Sequence, residues 1–237
     1  MDQAPDRTEA LEWTNQLVGK FWAHYAKHRP EDYFTYLFGD RLIAVTAPFL
    51  TPKATVLDYG CGSAFLLERL LRQHKAAGYD WSTENIGAAA SRVGRHRNLL
   101  GLYAGERGER PKGQYDAVYF VETIEHVLEA QLTSTFAELS SLLAPGGTLI
   151  VTTPNDEDLQ AQTVFCPCCE RTFHRWQHLR SFTERSLREL MEQRGFSTHV
   201  VFTTDFSAKT PWQKLKTHLR PRLGRKNPHL VYVGKKI

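Results

Sequence analysis

Cysteine is scarce in this 237-residue chain. There are four, and three of them crowd into Cys166, Cys168 and Cys169. A disulfide framework would spread them out, so a reducing compartment with a metal or thiol site fits better. Long apolar runs are missing too, and nothing approaches the roughly 18 residues of a membrane span. The opening Met1-Asp2-Gln3-Ala4-Pro5-Asp6 has no basic stretch and no apolar stretch, so no secretory signal is expected. Together these absences predict a soluble cytoplasmic protein with no transmembrane segment. Internal repeats and low-complexity tracts are also lacking. Hydrophobic residues make up 41% and charged residues 24%, which excludes a disordered chain, a collagen and a coiled coil. Acidic residues are absent from Ser207 onward, where nine of the 30 Lys and Arg fall. A basic tail on an acidic body is compatible with an anionic partner and equally with a solvated loop.

The first 50 or so residues read as helices, with Leu11, Leu17, Phe21 and Tyr25 at helical spacing. The texture then changes. Short apolar strands are expected at 54–58, 76–80, 99–103, 115–121 and 148–153. Helices are expected at about 64–74, 82–94 and 128–143, the last stopped by Pro145-Gly146-Gly147. The stretch 155–177 shows no period. A helix at 184–194 and strands at 197–204 and 229–233 follow. Strands alternating with helices imply right-handed crossovers and a mostly parallel sheet. The expected fold is α/β, a Rossmann-like seven-stranded sheet with helices on both faces. The expected organisation is a helical cap at 1–50 and a main domain at 51–237. That domain carries a Cys/His insert at 156–178 and a basic crossover loop at 207–228.

A glycine-rich turn, Asp58-Tyr59-Gly60-Cys61-Gly62-Ser63-Ala64, joins the first strand to its helix. Glycines there let the backbone approach a ligand at the strand's carboxyl end. A dinucleotide fingerprint needs a third glycine where Phe65 stands, and a phosphate loop needs a Gly-Lys-Ser/Thr that is absent. Asp58 would repel phosphates and favour a cationic ligand such as an ammonium group. Asp80, at the end of the second strand, stands where an acid meets ribose hydroxyls. A cationic amino-acid end plus a ribose describes S-adenosylmethionine.

Asp58-x-Gly60-x-Gly62, Asp80, Tyr115-Asp116 and Pro145-Gly146-Gly147, in that order, resemble the class I S-adenosylmethionine-dependent methyltransferases over about residues 50–155. The resemblance implies that Asp58, Gly60 and Gly62 hold the amino-acid end of the cofactor and Asp80 its ribose. Trp81 would flank the adenine, and Phe120 is placed with them. Ala64 departs from the family's usual glycine. Glu106 stands near the acid that often follows the third strand.

Glu122-Thr123-Ile124-Glu125-His126 follows the fourth strand. On a helical turn Glu122, Glu125 and His126 share one face, and such a trio suits Mg²⁺, Mn²⁺ or a related ion. The motif resembles the ubiquinone-pathway O-methyltransferases and the small-RNA 2′-O-methyltransferases of the Hen family. The second likeness continues through Thr152-Thr153-Pro154-Asn155, Glu157, His178 and Phe182-Thr183, and implies His178 as the fourth ligand. Without a metal, His126 or His178 suits a general base. In the insert, Cys166, Cys169 and His174, with Cys168 beside them, are candidates for a structural zinc or a reduced thiol cluster. In this superfamily N-terminal helices often cover the cofactor pocket, which makes Trp22 and Tyr25 candidates to line it.

The expected function is methyl transfer from S-adenosylmethionine to an oxygen of a small molecule or glycan. The alternatives are RNA 2′-O-methylation, favoured by the basic tail, and a non-catalytic zinc-bearing interaction protein.

Overall fold

The computed structural model describes residues 9–208, 213 and 226–237. In chain order the strands are β1 (Thr55–Tyr59), β2 (Lys75–Asp80), β3 (Leu99–Ala104), β4 (Tyr115–Val121), β5 (Leu143–Pro154), β6 (Thr163–Cys166), β7 (Arg171–His174), β8 (Phe196–Thr204) and β9 (His229–Lys236). The helices are α1 (Asn15–His28), α2 (Phe34–Thr46), α3 (Phe65–Leu70), α4 (Thr83–Val93), α5 (Glu129–Leu142) and α6 (Glu184–Gln193). Seven strands form one sheet in the order β3-β2-β1-β4-β5-β9-β8, with β9 antiparallel to both of its neighbours. This is the Rossmann-like arrangement that the alternation predicts.

The strand order reverses between β1 and β4. A crevice opens there at the carboxyl ends of the strands, where open α/β sheets take their ligands. Alternate strand residues face opposite sides of the sheet. Leu57 and Phe120 join Phe136 and Leu139 of α5 and Met191 of α6 on one face. Val56 and Tyr119 join Leu42 of α2, Leu66 and Leu70 of α3 and Ala89 of α4 on the other.

Local signals set the helix ends. Ser82 Oγ accepts the Asn85 amide (3.3 Å) at the start of α4, and Thr183 and Ser186 form a reciprocal cap on α6. The helix expected to reach His74 stops at Leu70. The chain then turns toward β2, with Asn98 Nδ2 donating to the Leu71 carbonyl (2.9 Å).

The aperiodic stretch 155–177 holds the antiparallel β6–β7 hairpin, with Thr163 opposite His174 and Cys166 opposite Arg171. Most of β6 is exposed, so no alternation of apolar residues marks it. The chain at 9–11 runs alongside: the Thr172 amide donates to the Glu9 carbonyl (3.0 Å) and the Leu11 amide to the Thr172 carbonyl (2.8 Å). Most of the basic stretch expected as a crossover at 207–228 lies outside the described residues.

Candidate active site

The crevice holds a cavity of about 550 Å³, within the roughly 300–1,000 Å³ of small-molecule sites. The glycine-rich turn forms one wall. Gly60 has φ +86°, and a Cβ there would stand 2.5 Å from Thr123 Oγ1, so glycine lets this turn touch the loop after β4. The Gly60 and Cys61 amides both donate to the Tyr79 carbonyl (2.7 and 2.9 Å). Asp80 fastens the rest: Oδ2 accepts the Gly62 amide (2.9 Å), and Oδ1 accepts the Ser82 amide (2.8 Å) and Asn85 Nδ2 (3.1 Å). Burial raises the Asp80 pKa, and these three donors oppose the rise.

Gly60, Gly62, Asp80 and Trp81 line the cavity, whereas Asp58 and Phe120 do not. Phe120 is fully buried in the core. Its neighbour Val121, on the opposite face of β4, lines the cavity in its place, because the strand period is two. Asp58 lies behind the turn, 2% exposed, with Oδ2 unpartnered. Burial, then the charge of Asp80, pushes its pKa up to about 7. Ala64, at φ +66°, takes the left-handed conformation that glycine adopts more easily. Glu106 turns away, its Oε2 accepting the Thr83 amide (2.9 Å) at the start of α4.

The Glu122–His126 segment forms the adjoining wall, and residues 177–180 clamp it. Arg180 Nη1 donates to the carbonyls of Ile124 (2.8 Å) and Val127 (2.6 Å), and the Leu179 amide donates to the Glu125 carbonyl (2.9 Å). Glu125 is 1% exposed, and neither of its carboxylate oxygens has a hydrogen-bond partner. Burial, then the charge of Glu122, pushes its pKa well above the usual carboxylate range. His126 Nε2 stands 3.9 Å from Glu125 Oε1. Burial, then His178, holds the His126 pKa well below the usual imidazole range.

One ligand atom from each of Glu125, His126 and His178 lies within 4.8 Å of the others. Glu122 is not in this group. Its backbone is at φ +43°, its Oε1 is unpartnered, and burial raises its pKa to about 7. The segment is thus no regular helical turn, and the expected quartet is gathered as a trio.

His174 does not join the cysteines. It groups with Glu157 and His178, and among the described residues no such cluster includes a cysteine. Cys166, Cys168 and Cys169 sit at the far end of β6 and in the hairpin turn, while His174 ends β7 beside the cavity. Among the described residues Cys166, Cys169 and His174 are thus not gathered into one cluster.

Aromatic rings complete the cavity. Trp22 of α1 meets His126 edge-on (4.8 Å) and Tyr33 (5.4 Å), and all three line it, as do Phe34, Phe38 and Trp176. Tyr25 is not in the lining and packs on Trp176 (5.4 Å). His229, at the start of β9, sits against Phe34 (5.0 Å) and Phe38 (5.8 Å) and also lines the cavity. Burial lowers its pKa to about 4. Gln177, Arg180 and His229 escaped the sequence reading of the site, and Glu157 entered it only as part of a motif, with no role. Only Glu157 carried a signal, its place after Thr152-Thr153-Pro154-Asn155.

Residues 23–201 match a family described as a methyltransferase domain. The chain belongs to the class I S-adenosylmethionine-dependent methyltransferases. This methyltransferase is 31% identical over 104 residues to the ubiquinone biosynthesis O-methyltransferase of Aeromonas salmonicida, covering 42% of this chain and 43% of that one. The chain spans about half the length of the curated relatives it matches. Its fold is shared with a Burkholderia thailandensis 1,6-didemethyltoxoflavin-N1-methyltransferase solved with bound 1,6-didemethyltoxoflavin and S-adenosylhomocysteine. The TM-score is 0.65 at 17% identity, covering 96% of this chain and 92% of that one. The [4+2]-cyclase SpnF is equally similar in fold, with a TM-score of 0.66 at 17% identity, covering 96% and 98%. One fold thus carries methyl transfer to nitrogen and a cyclisation, so the acceptor chemistry of this methyltransferase must be argued from its own site.

Proposed function

We propose that the protein transfers the methyl group of S-adenosylmethionine to an oxygen of a small molecule or glycan. The observation that carries this reading is the placement of Glu125, His126 and His178 in one cavity with the Gly60–Gly62 turn and Asp80. The cofactor's ribose would lie at Asp80, its amino-acid end along the glycine-rich turn, and its adenine against Trp81.

His126 Nδ1 faces the Gln177 carbonyl (3.3 Å). A carbonyl only accepts, so Nδ1 carries the proton and Nε2 presents a lone pair toward Glu125. Such a base accepts the acceptor's hydroxyl proton as the oxygen attacks the methyl carbon. The carbon–sulfur bond breaks, and its electron pair stays on sulfur as the sulfonium becomes a thioether. Holding both reactants in one cavity supplies the alignment this displacement needs.

The same residues fit a divalent cation. Two orphaned, buried carboxylate oxygens beside imidazole lone pairs are costly unless a proton or a cation answers them. Glu125, His126 and His178 would hold it, and when bound it would lower the pKa of a coordinated hydroxyl.

The test is calorimetric titration with S-adenosylhomocysteine, followed by transfer of labelled methyl to vicinal-diol and phenolic small molecules, glycans and short RNAs. Label on the small molecules or glycans supports the reading. Label on RNA alone replaces it with RNA methylation, and no S-adenosylhomocysteine binding leaves a non-catalytic protein on this fold.

A further inference from the structure

Glu157 and His174 look at first like two-thirds of a second cation site with His178. Their hydrogen bonds say otherwise. Nδ1 of His174 accepts two backbone amides, those of Trp176 and His178, both at 3.2 Å. A ring nitrogen that accepts carries no proton, so the proton of His174 is on Nε2. That Nε2 makes no hydrogen bond; it stands 3.5 Å from Glu157 Oε1, at ion-pair distance, and carries a proton, not a ligand lone pair. The other carboxylate oxygen, Oε2, meets Nδ1 of His178. A carboxylate accepts, so Nδ1 of His178 carries the proton and its Nε2 is left with the lone pair.

We infer that Glu157 is a positioning residue: set on a pinned loop and flanked by the proton of His174, it fixes His178 in the tautomer whose Nε2 lone pair is free for the reaction. This rests on the reading of His178 as part of the methyl-transfer site. It adds a direction of dependence, from two backbone amides through His174 and Glu157 to the reactive ring.

The loop bearing Glu157 is pinned on both sides. The Asn155 amide donates to the Pro228 carbonyl (2.9 Å), its Nδ2 to the Asn227 carbonyl (2.8 Å), and the Asp156 amide to the Phe182 carbonyl (2.7 Å). His174 is 6% exposed and stacks on His178 at 4.5 Å, so neither ring has room to reorient. A carboxylate is needed because both facing nitrogens carry protons. A carboxamide has one acceptor and one donor end. In Glu157→Gln, His174 cannot change tautomer without losing its two amide donors. The carboxamide oxygen therefore turns to His174 and its NH₂ to His178, which drives the His178 proton from Nδ1 to Nε2.

The experiment is long-range ¹H–¹⁵N correlation of the imidazoles in ¹⁵N-histidine-labelled full-length protein, wild type and Glu157→Gln, with kinetics of both. The wild type is expected to show His178 protonated on Nδ1 and His174 on Nε2. Glu157→Gln should show His178 protonated on Nε2, with kcat reduced on the order of 10²-fold. S-adenosylhomocysteine affinity should stay within about twofold, since Glu157 does not line the cavity. Glu157→Asp, which keeps both acceptors, should retain the wild-type tautomer and recover part of kcat. An Nε2-protonated His178 in the wild type overturns the inference, and so does an unchanged tautomer or an unchanged kcat in Glu157→Gln. The wild-type spectrum decides even where the variant folds poorly. Correct tautomers with no methyl transfer to any acceptor would instead count against the proposed reaction.

Discussion

The indole nitrogen of Trp22 donates to the side-chain oxygen of Gln177 at 3.2 Å, across 155 positions of sequence. Gln177 is fully buried at φ +58°, and its Nε2 donates in turn to the His126 carbonyl (3.2 Å). Through one side chain the N-terminal helix is tied to the backbone of His126, whose ring presents a lone pair to the cavity.

Replacing Trp22 by phenylalanine keeps a ring against His126 and removes the N–H. It leaves the Gln177 oxygen buried and unpaired, a loss of about 1–3 kcal/mol. Urea denaturation should show this as a lower midpoint with an unchanged slope, and kcat should fall with it.

Asp80 accepts three hydrogen bonds that shape the glycine-rich turn. Asp80→Ala removes them together with the proposed ribose contact. S-adenosylhomocysteine affinity is expected to fall roughly 100-fold by calorimetry, equivalent to about 2.7 kcal/mol. An affinity within threefold of wild type would remove Asp80 from the cofactor site.

Asp58 makes stability depend on pH. Its folded-state pKa of about 7 lies above the ordinary aspartate value of 3.8, so the native state binds more protons than the unfolded state between those values. Stability from this group is therefore lost as pH rises through that window. Asp58→Asn does not titrate. Relative to wild type it should gain stability from about pH 4 to about pH 7, by on the order of 4 kcal/mol, and then level off. Denaturation series of both proteins across that range give the difference, and a flat difference would mean that Asp58 is ionised at little cost.

Manganese binding reports on the buried trio. Wild type should bind Mn²⁺ at a site seen by electron paramagnetic resonance, and Glu125→Gln should weaken it about tenfold or more. Cys166→Ser should leave it unchanged, because no cysteine belongs to that cluster among the described residues. Equal binding by wild type and Glu125→Gln would place the ion elsewhere.

Much of this molecule is readable from its residues. The seven strands of the main sheet announce themselves as short apolar runs, and the reversal of strand order at β1 follows from class. Gly60, Gly62 and Asp80 could be placed because their spacing reflects one local turn. Gln177, Arg180 and His229 could not, because they act through contacts between distant segments that no period records. The β6–β7 hairpin was hidden for a different reason: it has little apolar face to alternate. Phe120 and Val121 show how fine the limit is, since one step along a strand exchanges core for cavity.

The central position of β9 also has a consequence in time. Pro154 of β5 pairs with His229, and so does Thr204 of β8. At about 5–20 residues per second, the ribosome takes roughly 4–15 s to go from the end of β5 to the start of β9. Throughout that interval the nascent chain exposes an unpaired sheet edge at β5, and once Thr204 has been added a second at β8, each open to a chaperone or to another chain. His229 arrives on the same strand, so the cavity gains its last wall when the gap closes. The cavity walled by His229 is therefore complete only in the finished sheet.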